Sequence, residues 1–69
     1  MDVFFYEAFE EEMQAIQSFM PSHICAGYTP LTIQEYGAVV PPASIISLRT
    51  QSVIPENWHT KLDAILSRS

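Results

Sequence analysis

Four short apolar runs, separated by polar and turn-forming stretches, set the strongest limit on how this chain can fold. They are Val3-Phe4-Phe5-Tyr6, Ile24-Cys25-Ala26, Ser44-Ile45-Ile46-Ser47-Leu48 and Ala64-Ile65-Leu66. Runs that are apolar on both faces, rather than alternating, suit strands of a parallel sheet buried between helix layers. Parallel neighbours need crossover connections, so the chain reads as successive βαβ units of an α/β sheet.

The connection between the first two runs carries the clearest helix signal. Phe9, Met13, Ile16 and Met20 recur at spacings of four, three and four, which predicts a helix over residues 8–19 with one apolar face. Pro21 and Ser22 end it. Glu10, Glu11 and Glu12 match the positive end of its dipole and read as a solvated first turn. In the second connection Leu31 to Tyr36 suffices for a turn or two of helix, Gly37 is placed to terminate it, and Pro41-Pro42 forces an extended entry into the third strand. The third has Pro55 at an expected first helical position, with Trp58, Leu62 and Ile65 continuing the buried side.

The chain is 69 residues long and 48% hydrophobic, the composition of a folded core rather than a disordered tail. A domain of this size buries only about 60% of the surface its unfolded chain exposes. Two helix layers over a parallel sheet are hard to complete at that length, and one face is expected to lack cover. Association with a copy or with further sequence would supply it, around Ile45, Ile46, Trp58 or Ile65.

Eight acidic against three basic residues give a net charge of −5, and Arg49, Lys61 and Arg68 form no cluster in the sequence. Nucleic acid is therefore not an expected partner. No run approaches the roughly 18 apolar residues of a membrane span, and the start lacks the basic end of a signal peptide, so a cytoplasmic protein is expected. The single cysteine, Cys25, reads as a packed core thiol in the second strand. A metal site of His23, Cys25 and His59 would need two distant segments to converge and a fourth ligand.

Open parallel sheets bind ligands at the carboxyl ends of their strands. Those ends are Tyr6-Glu7-Ala8, Ala26-Gly27-Tyr28, residues 48–52 and Ser67-Arg68-Ser69. The first is not a Ser/Thr/Gly-rich phosphate cradle, and Arg49 stands where a phosphoacceptor receiver would need an aspartate. Gly27 and Gly37 alone make neither a dinucleotide fingerprint nor a P-loop. What remains is Arg49-Thr50-Gln51-Ser52, a guanidinium, two hydroxyls and a carboxamide after an apolar strand. This set suits a small carboxylate or hydroxy acid. The alternative is that Thr50 and Ser52 shape the loop and cap the next helix while Arg49 is solvated.

Residues 1–12 (MDVFFYEAFEEE), Thr32-Ile33-Gln34-Glu35, the run Ser47-Leu48-Arg49-Thr50-Gln51-Ser52-Val53-Ile54-Pro55, Trp58 and Ala64-Ile65-Leu66-Ser67-Arg68-Ser69 together resemble the N-terminus of a D-isomer-specific 2-hydroxyacid dehydrogenase. The Arg-Thr-Gln-Ser-x-Ile-Pro run is the more specific part. The resemblance implies a partial flavodoxin-like sheet of about four parallel strands, order 2-1-3-4, with two to three helices. Residues 1–69 would form the first half of a substrate-binding domain, with NAD or NADP held by a Rossmann domain not represented here. In that family a carboxylate-binding arginine and a histidine assisted by a glutamate carry the reaction, and no residue of this chain matches them. A glycine-containing loop would begin at Ser69. The chain alone is expected neither to bind the dinucleotide nor to turn over a hydroxy acid.

Two functional expectations follow. One is part of an oxidoreductase whose substrate cleft includes Arg49, Thr50, Gln51 and Ser52. The other is a small acidic α/β interaction module that homodimerises or docks on a full-length relative.

Overall fold

Strand β1 (Val3–Phe5) is the centre of the fold, covered on both faces and paired along both edges. The structure, a computed structural model, describes residues 1–68; Ser69, expected at the carboxyl end of the fourth strand, lies outside the described residues. β1 pairs in parallel with β2 (Ala26–Tyr28) on one side and β3 (Ile45–Leu48) on the other, and β3 pairs in parallel with β4 (Ala64–Ser67). The order is β2-β1-β3-β4, and with three helices it is the arrangement of a partial flavodoxin-like α/β fold.

Alternation along the strands sends side chains to opposite faces. Val3, Phe5 and Ala8 meet Ile16 of α1 (Glu10–Phe19) and Met20, the residue that caps its C-terminus. Phe4, Tyr6, Ile46 and Leu48 meet Ile33 of α2 (Ile33–Tyr36) and Trp58 of a 3₁₀ helix (Glu56–Lys61). The helices thus divide between the faces where strand order reverses, at β1 and β3.

Helix α1 begins two residues later than its periodicity predicts. Ala8 is in the core and its N–H donates to the Thr29 carbonyl at 2.9 Å, while Phe9 is extended and 60% exposed instead of lying on the buried face. No residue of α1 is fully buried, and Phe19 is 88% exposed. On the opposite face Ile46 and Trp58 are enclosed within the chain by α2 and the 3₁₀ helix. They are therefore not part of a surface for association, whereas Ile65 and all of β4 are exposed.

The second strand lies C-terminal to its expected centre. The Asp2 carboxylate accepts the Cys25 N–H at 2.7 Å and the Cys25 carbonyl accepts the Asp2 N–H at 2.7 Å. These bonds close the end of the ladder, so pairing starts at Val3 and Ala26. Cys25 is consequently exposed, not a packed core thiol. Gly27 faces Phe4 so closely that a Cβ there would lie 2.6 Å from Phe4 Cδ1.

The turns follow local chemistry. Thr32 and Glu35 form a reciprocal capping box at the start of α2, and Gly37, at φ 78°, ends it in the left-handed conformation. Pro55 precedes the 3₁₀ helix at its cap position rather than occupying the first turn.

One polar group in the core has no counterpart. Tyr6 is fully buried, and its Oη has no hydrogen-bond partner among the described residues. Burial, then the neighbouring Tyr36, pushes its hydroxyl pKa up to about 12. A buried hydroxyl without a partner costs more than it returns. Tyr6→Phe is expected to stabilise the chain by about 1 kcal/mol in urea unfolding, because the ring packing against Phe4 at 4.9 Å is retained. A loss of stability would mean that the hydroxyl is bonded.

Candidate functional site

The carboxyl ends of β1 and β3 meet at the reversal of strand order, where open α/β sheets place their ligands. β1 is followed by Glu7, a non-glycine residue with φ 56°. The backbone there is held from two sides: the Tyr6 N–H donates to the Ser47 carbonyl at 2.8 Å and the Glu7 N–H to the Leu31 carbonyl at 2.9 Å. The left-handed turn lets the side chain reach the loop after β3.

That loop closes around the carboxylate. Arg49 N–H donates to Glu7 Oε2 at 3.0 Å, Gln51 N–H to Oε1 at 3.1 Å and Ser52 N–H to Oε2 at 3.2 Å. Glu7 is 5% exposed, and burial by itself would raise its pKa. The Ser52 hydroxyl and the three N–H donors outweigh that and hold it below the ordinary carboxylate value. Glu7 is thus an ionised, fully engaged carboxylate inside a loop that contributes most of its own donors.

Ser52 belongs to the framework. Its hydroxyl acts on Glu7 and its Oγ accepts the Ile33 N–H at 3.1 Å, a free donor at the start of α2. Gln34 continues the stitching: its Oε1 accepts the Val53 N–H at 3.0 Å and its Nε2 donates to the Val53 carbonyl. β1, α2 and the loop are therefore one hydrogen-bonded unit.

Arg49, Thr50 and Gln51 line a cleft of about 540 Å³ together with Glu7, Phe9, Pro30, Thr32 and Glu35. Arg49 is half-buried and is the one cation of that lining. Its guanidinium has no hydrogen bond or ion pair among the described residues; the one ion pair there joins Arg68 to Glu12 at 3.0 Å. Glu35 is partly committed, since its Oε1 accepts the Thr32 N–H at 2.9 Å. Of the four residues singled out in the sequence, Arg49, Thr50 and Gln51 line the cleft and Ser52 builds its support.

Arg68, read from the sequence as unclustered, is fully used. Its guanidinium binds Glu12, donates to Ser47 Oγ at 2.8 Å and to the Tyr6 carbonyl at 2.6 Å, and lies 5.8 Å from the Phe5 ring centre. It fastens the end of β4 to β1, β3 and α1. Glu12 is correspondingly more than a solvated first-turn charge.

Among the described residues no group of three or more His, Cys, Asp and Glu side chains is placed to hold a metal ion, so His23, Cys25 and His59 are not brought together. No helix among them is long and apolar enough to cross a membrane. Glu7 is the residue that sequence reasoning left without a role. The signal available was its position directly after an apolar strand at the reversal of strand order. Compared with known proteins, the chain matches no family model, no curated protein and no solved structure.

Proposed function

We propose that this chain is the first half of the substrate-binding domain of an NAD- or NADP-dependent oxidoreductase acting on D-2-hydroxy acids, and that Arg49, Thr50 and Gln51 form part of its substrate cleft. The observation that carries this proposal is Arg49, whose guanidinium has no partner among the described residues, in the lining of a cleft at the reversal of strand order. The resemblance of residues 47–55 to D-2-hydroxyacid dehydrogenases supplies the substrate class. A planar guanidinium binds a carboxylate through two parallel hydrogen bonds. The Thr50 hydroxyl and Gln51 carboxamide supply donors and acceptors for the adjacent 2-hydroxyl or 2-keto oxygen.

Glu7 sharpens this assignment. Its carboxylate already occupies the loop's main-chain donors, so an incoming anion is left with the Arg49 side chain. With glycine only at positions 27 and 37, the residues of this chain do not fit a dinucleotide phosphate. No step of hydride transfer is assigned to them. Partners in this proposal are a small 2-hydroxy acid and either the rest of a longer chain or a second copy laid against the exposed β4.

Titration of the chain with D-lactate, followed by amide NMR, tests the proposal. The shifts are expected to centre on residues 49–51, and Arg49→Ala is expected to weaken binding by about tenfold or more. Lys61→Ala, which removes an exposed cation outside the cleft, should leave it unchanged. Equal affinity of Arg49→Ala and the parent would sink the proposal.

A further inference from the structure

The three N–H groups of Arg49, Gln51 and Ser52 converge on two oxygen atoms from one short stretch of backbone, with the Ser52 hydroxyl beside them. Successive main-chain N–H groups turned to one side form a concavity that selects anions. Here the concavity comes from the loop, while its anion comes from a different strand, more than forty residues earlier in the chain. The loop is further held open from outside: Gln34 clasps Val53, and the Ile33 N–H is bonded to Ser52 Oγ. Those contacts do not involve Glu7 directly. The receptor and its ligand are therefore separable.

We propose that the main chain of residues 49–52 is a carboxylate receptor whose resident ligand is Glu7, and that removing the Glu7 side chain opens it to a small monocarboxylate from solution. The class of ligand follows from the geometry. Two oxygens of one carboxylate accept all three N–H bonds, Oε2 two of them and Oε1 one, an arrangement a single chloride cannot reproduce. The path in is the cleft, since Glu7 is among its lining residues. The receptor is distinct from the Arg49 side chain, and it stands whether or not the cleft takes a hydroxy acid.

Glu7→Gly is the informative variant. Glycine adopts φ 56° without a steric cost, so the left-handed turn is retained while the side chain is deleted. The deleted carbons are those of propionate, and in Glu7→Ala they are those of acetate. Thermal unfolding of the full chain is measured in sodium propionate, acetate, trimethylacetate and chloride at matched ionic strength. Propionate and acetate are expected to raise the midpoint of Glu7→Gly by about 5 °C or more at about ten times their dissociation constant. They should also shift the amide resonances of Arg49, Gln51 and Ser52. The parent, where only the Arg49 side chain is open to an anion, should gain clearly less from propionate and acetate than the variant does, and the bulky trimethylacetate should stabilise the variant no more than the parent.

A carboxylate effect on Glu7→Gly no larger than that of chloride, or equal on the parent, would overturn the proposal. Should Glu7→Gly fail to fold in every salt, the isosteric Glu7→Gln decides. Exchange of the Arg49, Gln51 and Ser52 amides is then expected to quicken by about tenfold relative to the parent. Unchanged exchange there would overturn it as well. Because these readouts use residue 7 and simple monocarboxylates, they are independent of the Arg49→Ala titration with D-lactate.

Discussion

Trp58→Ala is expected to leave the chain largely unfolded at room temperature. Trp58 is 1% exposed, the largest fully buried side chain, and the one buried residue of its 3₁₀ helix. It packs into the cluster of Phe4, Tyr6, Ile33, Ala43, Ile46 and Leu48. Truncating a buried tryptophan to alanine costs about 3–5 kcal/mol. A chain of this length has a total stability of only about 3–10 kcal/mol, from roughly 0.05–0.15 kcal/mol per residue. The short 3₁₀ helix cannot offset the loss, because its own hydrogen bonding is weak and its attachment to the sheet runs through this side chain. A second contact goes with it: Trp58 Nε1 donates to the Val39 carbonyl at 3.1 Å and pins the segment between α2 and β3. Trp58→Phe keeps most of the packing, loses that bond, and is expected to cost about 1–2 kcal/mol. Urea unfolding followed by circular dichroism measures both. A cooperative Trp58→Ala transition near the parent midpoint would show that this face is held by something other than Trp58.

What could be read in the sequence was whatever depends on neighbours along the chain. Strands β1, β3 and β4 fall on the apolar runs of residues 3–6, 44–48 and 64–66, and Gly37 ends α2 as its conformational freedom suggests. Thr32-Ile33-Gln34-Glu35 has capping-box spacing, a local signal for the start of α2. The departures come from contacts between distant residues. Asp2 captures the Cys25 N–H and moves the start of β2, and a bond between Ala8 and Thr29 delays α1. Arg68 reaches Glu12 across 56 positions. The site divides in the same way. A polar loop after β3 is local information and put attention on Arg49, Thr50, Gln51 and Ser52. The partner that shapes that loop lies 42 to 45 residues earlier, and only the strand order brings Glu7 to it. Ser52 then turns inward as support, which no feature of its immediate neighbourhood distinguishes from a cleft position.

Glu7→Gln is expected to lower stability by about 2–3 kcal/mol near neutral pH and to remove a specific part of the acid sensitivity. Hydrogen bonds to a charged group contribute about 1.5–3 kcal/mol each, and the amide of glutamine turns a donor toward one of the three N–H groups. The sign of the pH effect follows from the direction of the shift. Glu7 is held below the ordinary glutamate value of 4.5 in the folded chain, so the unfolded chain binds the proton more readily. Its contribution is therefore complete above that value and is lost as pH falls through the lower folded one. The parent should approach the variant in stability as the solution is acidified below about pH 4. Asp2, Glu12 and Glu35 also carry carboxylates in structural bonds, and these are the same in both proteins, so the difference between parent and variant isolates residue 7. Backbone strain separates cleanly from charge in a second pair: Glu7→Gly should exceed Glu7→Ala in stability by about 1 kcal/mol, since only alanine bears the cost of φ 56°. Urea midpoints of all four proteins at neutral pH, and of parent and Glu7→Gln at about pH 3, provide the measurement. A parent-to-variant gap that stays constant with pH would mean that the loop of residues 49–52 is not held by a carboxylate.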